Sequence, residues 1–289
     1  MPTSAGLYYF AHEAEAEEKK TNRLPVILIH GAGGNHLSWP PQIRRLAGET
    51  MYALDLPGHG QSEGNGRQAV EAYADDVVLF MQSLKIRSAV IVGISMGGAI
   101  ALTLALKYPK KVKALALLGS GAKMRVAQTV IETAGNPNTF ESAVETININ
   151  CFSEGAQQNL VQLSKQSMLK MRPPVLLGDF LACNEFNVID QLEKITVPTL
   201  VICGLEDKMT PSKFSELLHA GITNSTLHIL EHAGHMVMLE QPDEVADLLK
   251  QFLDKLPVRR KPAKKRLIPE GEVDPVQQAE SAPLTLPPK

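Results

Sequence analysis

Short apolar runs recur along the first part of the chain, and each gives way to a glycine-rich or polar break and then to a helical pattern. The runs occupy 7–11, 24–30, 51–54, 88–92 and 112–118, lengths that suit short buried strands. Between them, Val70, Tyr73, Val77, Phe80 and Leu84 recur on one helical face. The stretch 96–107 is rich in Ala, Leu and Ile and stops at Tyr108-Pro109, because a residue before proline resists the α conformation. Ser38 to Leu46 also reads as a helix, with Pro40 or Pro41 in its first turn. Alternation of this kind predicts an α/β fold, a mostly parallel, doubly wound sheet with helices on both faces.

The alternation lapses between Lys123 and Lys194, where helical patterns dominate. Asn138 and Glu141 suggest one helix start, and a second helix is expected from Gln157 to Met171, ended by Pro173-Pro174. Strand patterns return at 197–203 and 226–230. The first is followed by a helix with Thr210 and Pro211 as N-cap and N1 and with Phe214, Leu217 and Leu218 facing inward. The last helix is opened by Pro242, Asp243 and Glu244. The expected organisation is a core of 1–122 and 195–257, a helical insertion at 123–194 over the carboxyl ends of the strands, and a flexible tail at 258–289. That tail carries a basic cluster from Arg259 to Arg266, read as a solvated segment.

The chemistry concentrates at strand ends. Ile91-Val92-Gly93-Ile94-Ser95-Met96-Gly97-Gly98 places a serine between glycines at a strand-to-helix turn, the G-x-S-x-G nucleophile elbow. The strand at 24–30 runs into His30-Gly31-Ala32-Gly33-Gly34, whose backbone N–H groups are suited to receiving an oxyanion. A dinucleotide loop is disfavoured there, since the G-x-G-x-x-G spacing is absent. Further along, Glu206 and Asp207 follow one strand, and His232 and His235 follow the next. A serine hydroxyl needs a base within reach, and the base needs a carboxylate to fix its tautomer. Ser95, Asp207 and His235 supply these groups in that chain order.

Several segments together make the chain resemble the α/β-hydrolase superfamily. They are the HG-x-GG segment at His30 to Gly34, the DLPGHGxS loop at Asp55 to Ser62, the elbow, the G-x-x-D loop at Gly204 to Asp207 and the Gly234-His235 pair. The resemblance favours Asp207 over Glu206 as the acid and His235 over His232 as the base. It implies the N–H groups of Ala32 and Met96 as oxyanion donors, with His30 and His59 bracing their own loops. It also implies an α/β-hydrolase fold whose helical cap, 123–194, is inserted after the sixth strand. Candidate substrate contacts are Gly31, Met124, Met168, Met171 and Met236.

The implied activity is hydrolysis of carboxylic esters through an acyl-enzyme on Ser95, of the carboxylesterase and lipase type, with no cofactor and no metal. Serine at the elbow argues against the aspartate-nucleophile chemistry of related dehalogenases and epoxide hydrolases. The alternative is carbon–carbon bond or enol-lactone hydrolysis of aromatic degradation products. Cofactor-free haloperoxidase or perhydrolase activity and a non-catalytic receptor role rank below it.

Composition narrows the partners. A net charge of −2 argues against a nucleic-acid or anionic-membrane binder, so the expected partner is a small-molecule ester. No apolar run approaches the length of a membrane span, and the N-terminal residues lack the basic and apolar regions of a signal peptide. Cys151, Cys183 and Cys203 are widely spaced and odd in number, which fits thiols in a reducing compartment. The expected location is cytoplasmic.

Overall fold

The computed structural model describes residues 2–14 and 23–257. The expected tail at 258–289 lies outside the described residues. Eight strands form one sheet: β1 (Thr3–Ser4), β2 (Leu7–His12), β3 (Val26–Ile29), β4 (Met51–Leu54), β5 (Ala89–Ile94), β6 (Val112–Leu118), β7 (Thr199–Gly204) and β8 (Ser225–Leu230). Their order is β1-β2-β4-β3-β5-β6-β7-β8. Pairings among β3 to β8 are parallel, while β1 and β2 join antiparallel at the β4 edge.

The pleat sorts side chains to two cores. Ile27, Ile29, Ile91, Leu115 and Leu117 pack on one face with α2 (Val70–Ser83) and α3 (Met96–Lys107). Val26, Leu28, Val90, Val92 and Leu118 point the other way, toward α1 (Pro41–Arg44) and the helix at Pro242–Asp254. Successive residues of a strand serve opposite faces, so a strand covered on both sides reads as an unbroken apolar run.

Between β6 and β7 the chain forms α4 (Gln128–Ala134), α5 (Phe140–Cys151), α6 (Gln158–Met168) and α7 (Pro173–Glu185), which share a separate apolar cluster built on Phe140, Val144, Ile147, Leu176 and Phe180. A 3₁₀ segment, Ile189–Lys194, leads back to β7. The core resumes with α8 (Ser212–Gly221), α9 (Val237–Glu240) and α10 (Pro242–Asp254).

Local differences from the sequence reading concern prolines and helix starts. The helix expected over 38–46 is split into a 3₁₀ turn, His36–Ser38, capped by Asn35, and the short α1. Pro40 and Pro41 supply no N–H, so the hydrogen-bond ladder cannot run through them. The helix expected to run to Met171 ends at Met168, and Pro173-Pro174 open α7 rather than closing α6. Proline is at home in a first turn, where its missing N–H would have no partner. The helix expected near Asn138 begins at Phe140 after Thr139. In α8 the N-cap position is Pro211, not Thr210, and Leu217 faces outward while Leu218 is buried.

Candidate active site

Because β3 to β8 run parallel, their carboxyl ends lie along one edge of the sheet, where an open α/β sheet gathers its ligand-binding loops. β5 delivers Ser95 in a left-handed backbone conformation (φ +53°, ψ −119°) that L-residues seldom adopt. The neighbouring backbone enforces it. A Cβ at Gly93 would lie 2.1 Å from the Gly97 carbonyl oxygen, and one at Gly97 would lie 2.1 Å from that of Ile29. The Ser95 N–H donates to the Leu118 carbonyl at 3.0 Å, and the Ser120 hydroxyl donates to the Ser95 carbonyl at 2.9 Å. Ser120 reads in the sequence only as part of the break after β6.

Asp207 and His235 come from the loops after β7 and β8 and meet with Oδ2 and Nδ1 2.9 Å apart, both side chains nearly closed to solvent. Asp207 Oδ1 accepts the N–H groups of Met209 and Thr210 at 2.9 and 2.8 Å, and Oδ2 accepts the Thr210 hydroxyl at 2.8 Å. Burial pushes this carboxyl up, but the charge and hydrogen bond of His235 and the Thr210 donors outweigh it and hold Asp207 below the usual carboxylate range. An ionised Asp207 requires Nδ1 of His235 to carry the hydrogen, which leaves Nε2 as the basic nitrogen. Glu206 instead accepts the Glu154 N–H at 3.2 Å, and His232 is exposed to solvent.

Thr210 lies within 3.2 Å of His235 Nδ1 as well as on Asp207. The sequence reading assigned it to helix capping, since Thr before Pro carries that signature. The carboxylate three residues earlier is the signal for its actual partner. Glu240 is a second residue without a sequence signal. Its carboxylate accepts the N–H of Gly234, beside His235, at 2.8 Å and that of Ser153 at 2.9 Å.

The remaining histidines of the motifs are occupied. His30 Nε2 accepts the Leu56 N–H at 3.1 Å, so Nδ1 donates to the Gly31 carbonyl at 2.7 Å. Complete burial, with the neighbouring His59 ring, lowers its pKa to about 4. His36 holds Asp55 through Nδ1 at 2.8 Å. His59 donates to the Pro57 carbonyl at 3.0 Å and meets Asp179 of α7 at 2.7 Å.

A cavity of about 420 Å³ opens where these loops meet the insertion. Gly31, Ala32, Ser95 and His235 form its floor, and Ile147, Cys151, Leu160, Leu163, Met168 and Phe180 bring an apolar wall from α5, α6 and α7. Among the described residues, no protein group takes the N–H of Ala32 or of Met96. Burial, with Asp207 and Glu240 nearby, pushes the Cys151 thiol up to about 12, so it stays protonated at neutral pH.

Of the five candidate substrate contacts, Gly31, Met168 and Met236 line this cavity. Met124 and Met171 do not. Met124 is buried in the same apolar cluster as Ala182, Cys183 and Phe186, and the chain next to it at Lys123 pairs with Asn187. Met171, after α6 has ended, packs into the insertion's own core and borders a separate polar groove along residues 58–65. The apolar wall the sequence reading missed, on α5 and α7, had no signal separating cavity-facing from core-facing residues.

Comparison with known proteins agrees with this architecture. A model of the alpha/beta hydrolase fold matches residues 25–242. A pimeloyl-[acyl-carrier protein] methyl ester esterase of Neisseria meningitidis is 29% identical over 248 residues, covering 79% of this chain and 93% of that protein. A solved structure of a thermophilic esterase is 32% identical with a TM-score of 0.74, covering 88% of this chain and 95% of the other. The enol-lactonase of Burkholderia xenovorans LB400 superposes with a TM-score of 0.79 over 86% of this chain and 96% of its own at 21% identity, a likeness of fold. With its parallel sheet, its strained elbow serine and a family match across both halves of the sheet, the chain belongs to the α/β-hydrolase fold family.

Proposed function

We propose that the protein is a serine carboxylesterase acting on small-molecule esters through an acyl-enzyme at Ser95. The observation that carries this reading is that Ser95, Ala32 and the Asp207-anchored His235 line one apolar cavity, with Met96 following Ser95 in the chain. In the first half-reaction the Ser95 hydroxyl oxygen bonds to the ester carbonyl carbon while its proton passes to His235 Nε2. Asp207 holds the Nδ1 hydrogen and stabilises the imidazolium. Ala32 and Met96 N–H groups receive the oxyanion, each such donor contributing roughly 10²- to 10³-fold in rate. Collapse breaks the bond to the alkoxide, which takes the proton from His235 Nε2 and leaves as an alcohol. Water then attacks the acyl-enzyme, His235 again taking and returning the proton, and the carboxylic acid is released.

The esterase relatives support ester over carbon–carbon bond cleavage. The apolar wall of α5 to α7 supports a medium acyl chain or an aromatic group. Cytoplasmic residence is part of the same reading and is supported by three cysteines that are all free and buried. The test is hydrolysis of p-nitrophenyl esters from acetate to palmitate by wild type and Ser95→Ala. Turnover peaking at intermediate chain length and lost in Ser95→Ala is expected. Fluorophosphonate labelling of Ser95 without turnover of any ester would transfer the site to carbon–carbon bond or lactone hydrolysis. A preference for acetate with steep loss thereafter would overturn the assignment of the acyl pocket.

A further inference from the structure

Asp179 lies on α7, in the insertion, and is closed to solvent, yet its carboxylate is held by three separate segments of the hydrolase core. Oδ2 accepts the Gly33 N–H at 2.9 Å from the loop after β3 and faces His59 Nε2 at 2.7 Å from the loop after β4. Oδ1 accepts the Tyr73 hydroxyl at 2.6 Å from α2. None of these contacts belongs to the Ser95, Asp207 and His235 group. We propose that Asp179 is a positioning residue for the oxyanion hole, holding the Ala32–Gly33 peptide on the far side of Ala32 and so limiting rotation of the backbone that presents the Ala32 N–H to substrate. This inference rests on the serine-hydrolase reading above.

A peptide unit is planar, so the Gly33 N–H fixes the Ala32–Gly33 plane, and the Ala32 N–H lies in the adjoining Gly31–Ala32 plane. Gly33 holds a left-handed conformation (φ +65°), which glycine reaches without steric cost and a Cβ would oppose. The Gly31 carbonyl, in the plane that carries the Ala32 N–H, takes the Gly34 N–H at 3.1 Å and His30 Nδ1 at 2.7 Å, so these ties hold the other side of Ala32. Among the described residues, Asp179 supplies the hydrogen bond to the Gly33 end.

Packing shows that the arrangement is built closely. A Cβ at Gly33 would lie 2.8 Å from Leu176 Cδ1, and one at Gly178 would lie 2.7 Å from the Arg67 carbonyl oxygen. The insertion therefore sits directly on the oxyanion loop and on the segment before α2. If the role were adhesion alone, an apolar side chain would serve as well, since a buried ion pair is commonly no more stabilising than a hydrophobic replacement. A carboxylate in this place adds directionality, with an acceptor aimed at a particular N–H. The oxyanion hole is then complete only when α7 is seated.

The test uses Asp179→Asn, which keeps the shape but turns one acceptor into a donor that faces either Gly33 or its other partners. Rates on p-nitrophenyl butyrate are expressed per site titrated with a fluorophosphonate, so misfolded molecules are not counted. Expected are a fall in kcat of about tenfold to a hundredfold at nearly unchanged KM, and a parallel weakening of binding by an aryl trifluoromethyl ketone, whose adduct carries an oxyanion. An unchanged kcat, a change confined to KM, or a lower kcat with trifluoromethyl ketone affinity intact would each overturn the proposal. If Asp179→Asn yields no titratable sites, Tyr73→Phe decides, with a severalfold lower kcat expected and an unchanged one overturning it. Wild type that neither labels at Ser95 nor hydrolyses esters would remove the underlying reading and this inference together. Normal wild-type behaviour with an unaffected variant would remove the inference alone.

Discussion

His235 Nδ1 lies 2.9 Å from Asp207 Oδ2, and His59 Nε2 lies 2.7 Å from Asp179 Oδ2, so the same pair of side chains is buried in both places, as it is again between His36 and Asp55. Around Asp207 the other donors are two backbone N–H groups and a threonine hydroxyl, and they leave His235 Nε2 among the cavity walls. Around His59 the second nitrogen is also engaged, by the Pro57 carbonyl. A carbonyl and a carboxylate are both acceptors, so His59 satisfies them together only as an imidazolium. Burial alone would lower its pKa, but the Asp179 charge and hydrogen bond outweigh it and raise the value. One pair keeps a nitrogen free to exchange protons, while the other spends both on holding segments together. Availability of the second nitrogen, rather than the presence of a His–Asp pair, distinguishes the two settings.

The comparison is broken most severely by His235→Ala. Loss of the proposed base lowers kcat by about ten-thousand-fold or more, with the fold retained. Stopped-flow ester hydrolysis together with circular dichroism checks this, and residual turnover within tenfold of wild type would refute the assignment of His235. His59→Ala should act mainly on stability. It strands the Asp179 carboxylate in a dry site, at a cost of about 3–5 kcal/mol seen in urea unfolding. A midpoint equal to that of wild type would show that the pair is not ionised.

The pH dependence of stability sharpens the contrast among buried histidines. His30, lowered from the ordinary 6.5 to about 4 by burial and the nearby His59, binds its proton more readily in the unfolded chain. Its contribution is present above 6.5 and is lost as pH falls toward 4, by up to about 3 kcal/mol. His59 has the opposite sign. Its raised pKa contributes stability fully below 6.5, and that contribution is lost as pH rises through the folded value. Melting temperature should therefore fall on both sides of the neutral region, and His30→Gln should flatten the acid limb between pH 6.5 and 4. An acid limb that persists unchanged in that variant would assign it to other groups. The smallest effect is expected for Thr210→Val, which removes one donor from Asp207 and lowers kcat severalfold. Steady-state ester hydrolysis with matched circular dichroism checks this, and an unchanged kcat would exclude the role.

The strands and the elbow were legible because their causes are local. Apolar runs of strand length, the glycines at 93 and 97, and the proline after Tyr108 each act within a few residues, and α3 and β6 occupy the stretches expected, 96–107 and 112–118. Motif order singled out Ser95, Asp207 and His235, and the fold brings them to one edge of the sheet. Prolines were harder to read, since the same Pro173-Pro174 that ends one helix also begins another. Methionines were harder still. Met124, Met168 and Met171 have the same chemistry and similar sequence surroundings, and Met168 alone of the three reaches the cavity.

What the sequence determined by itself was the alternation of strands and helices, the tight turn at Ser95 and the supply of a serine, a carboxylate and a histidine at strand ends. Those follow from the 2- and 3.6-residue periods and from steric limits on single residues. Tertiary structure alone decided that Thr210 serves Asp207 rather than a helix, that His59 is closed at both nitrogens, and that Asp179, 146 residues beyond Gly33, fastens the loop after β3 from the insertion. Each is a hydrogen bond whose partner is chosen by how packed segments meet in space, which no local pattern of residues encodes.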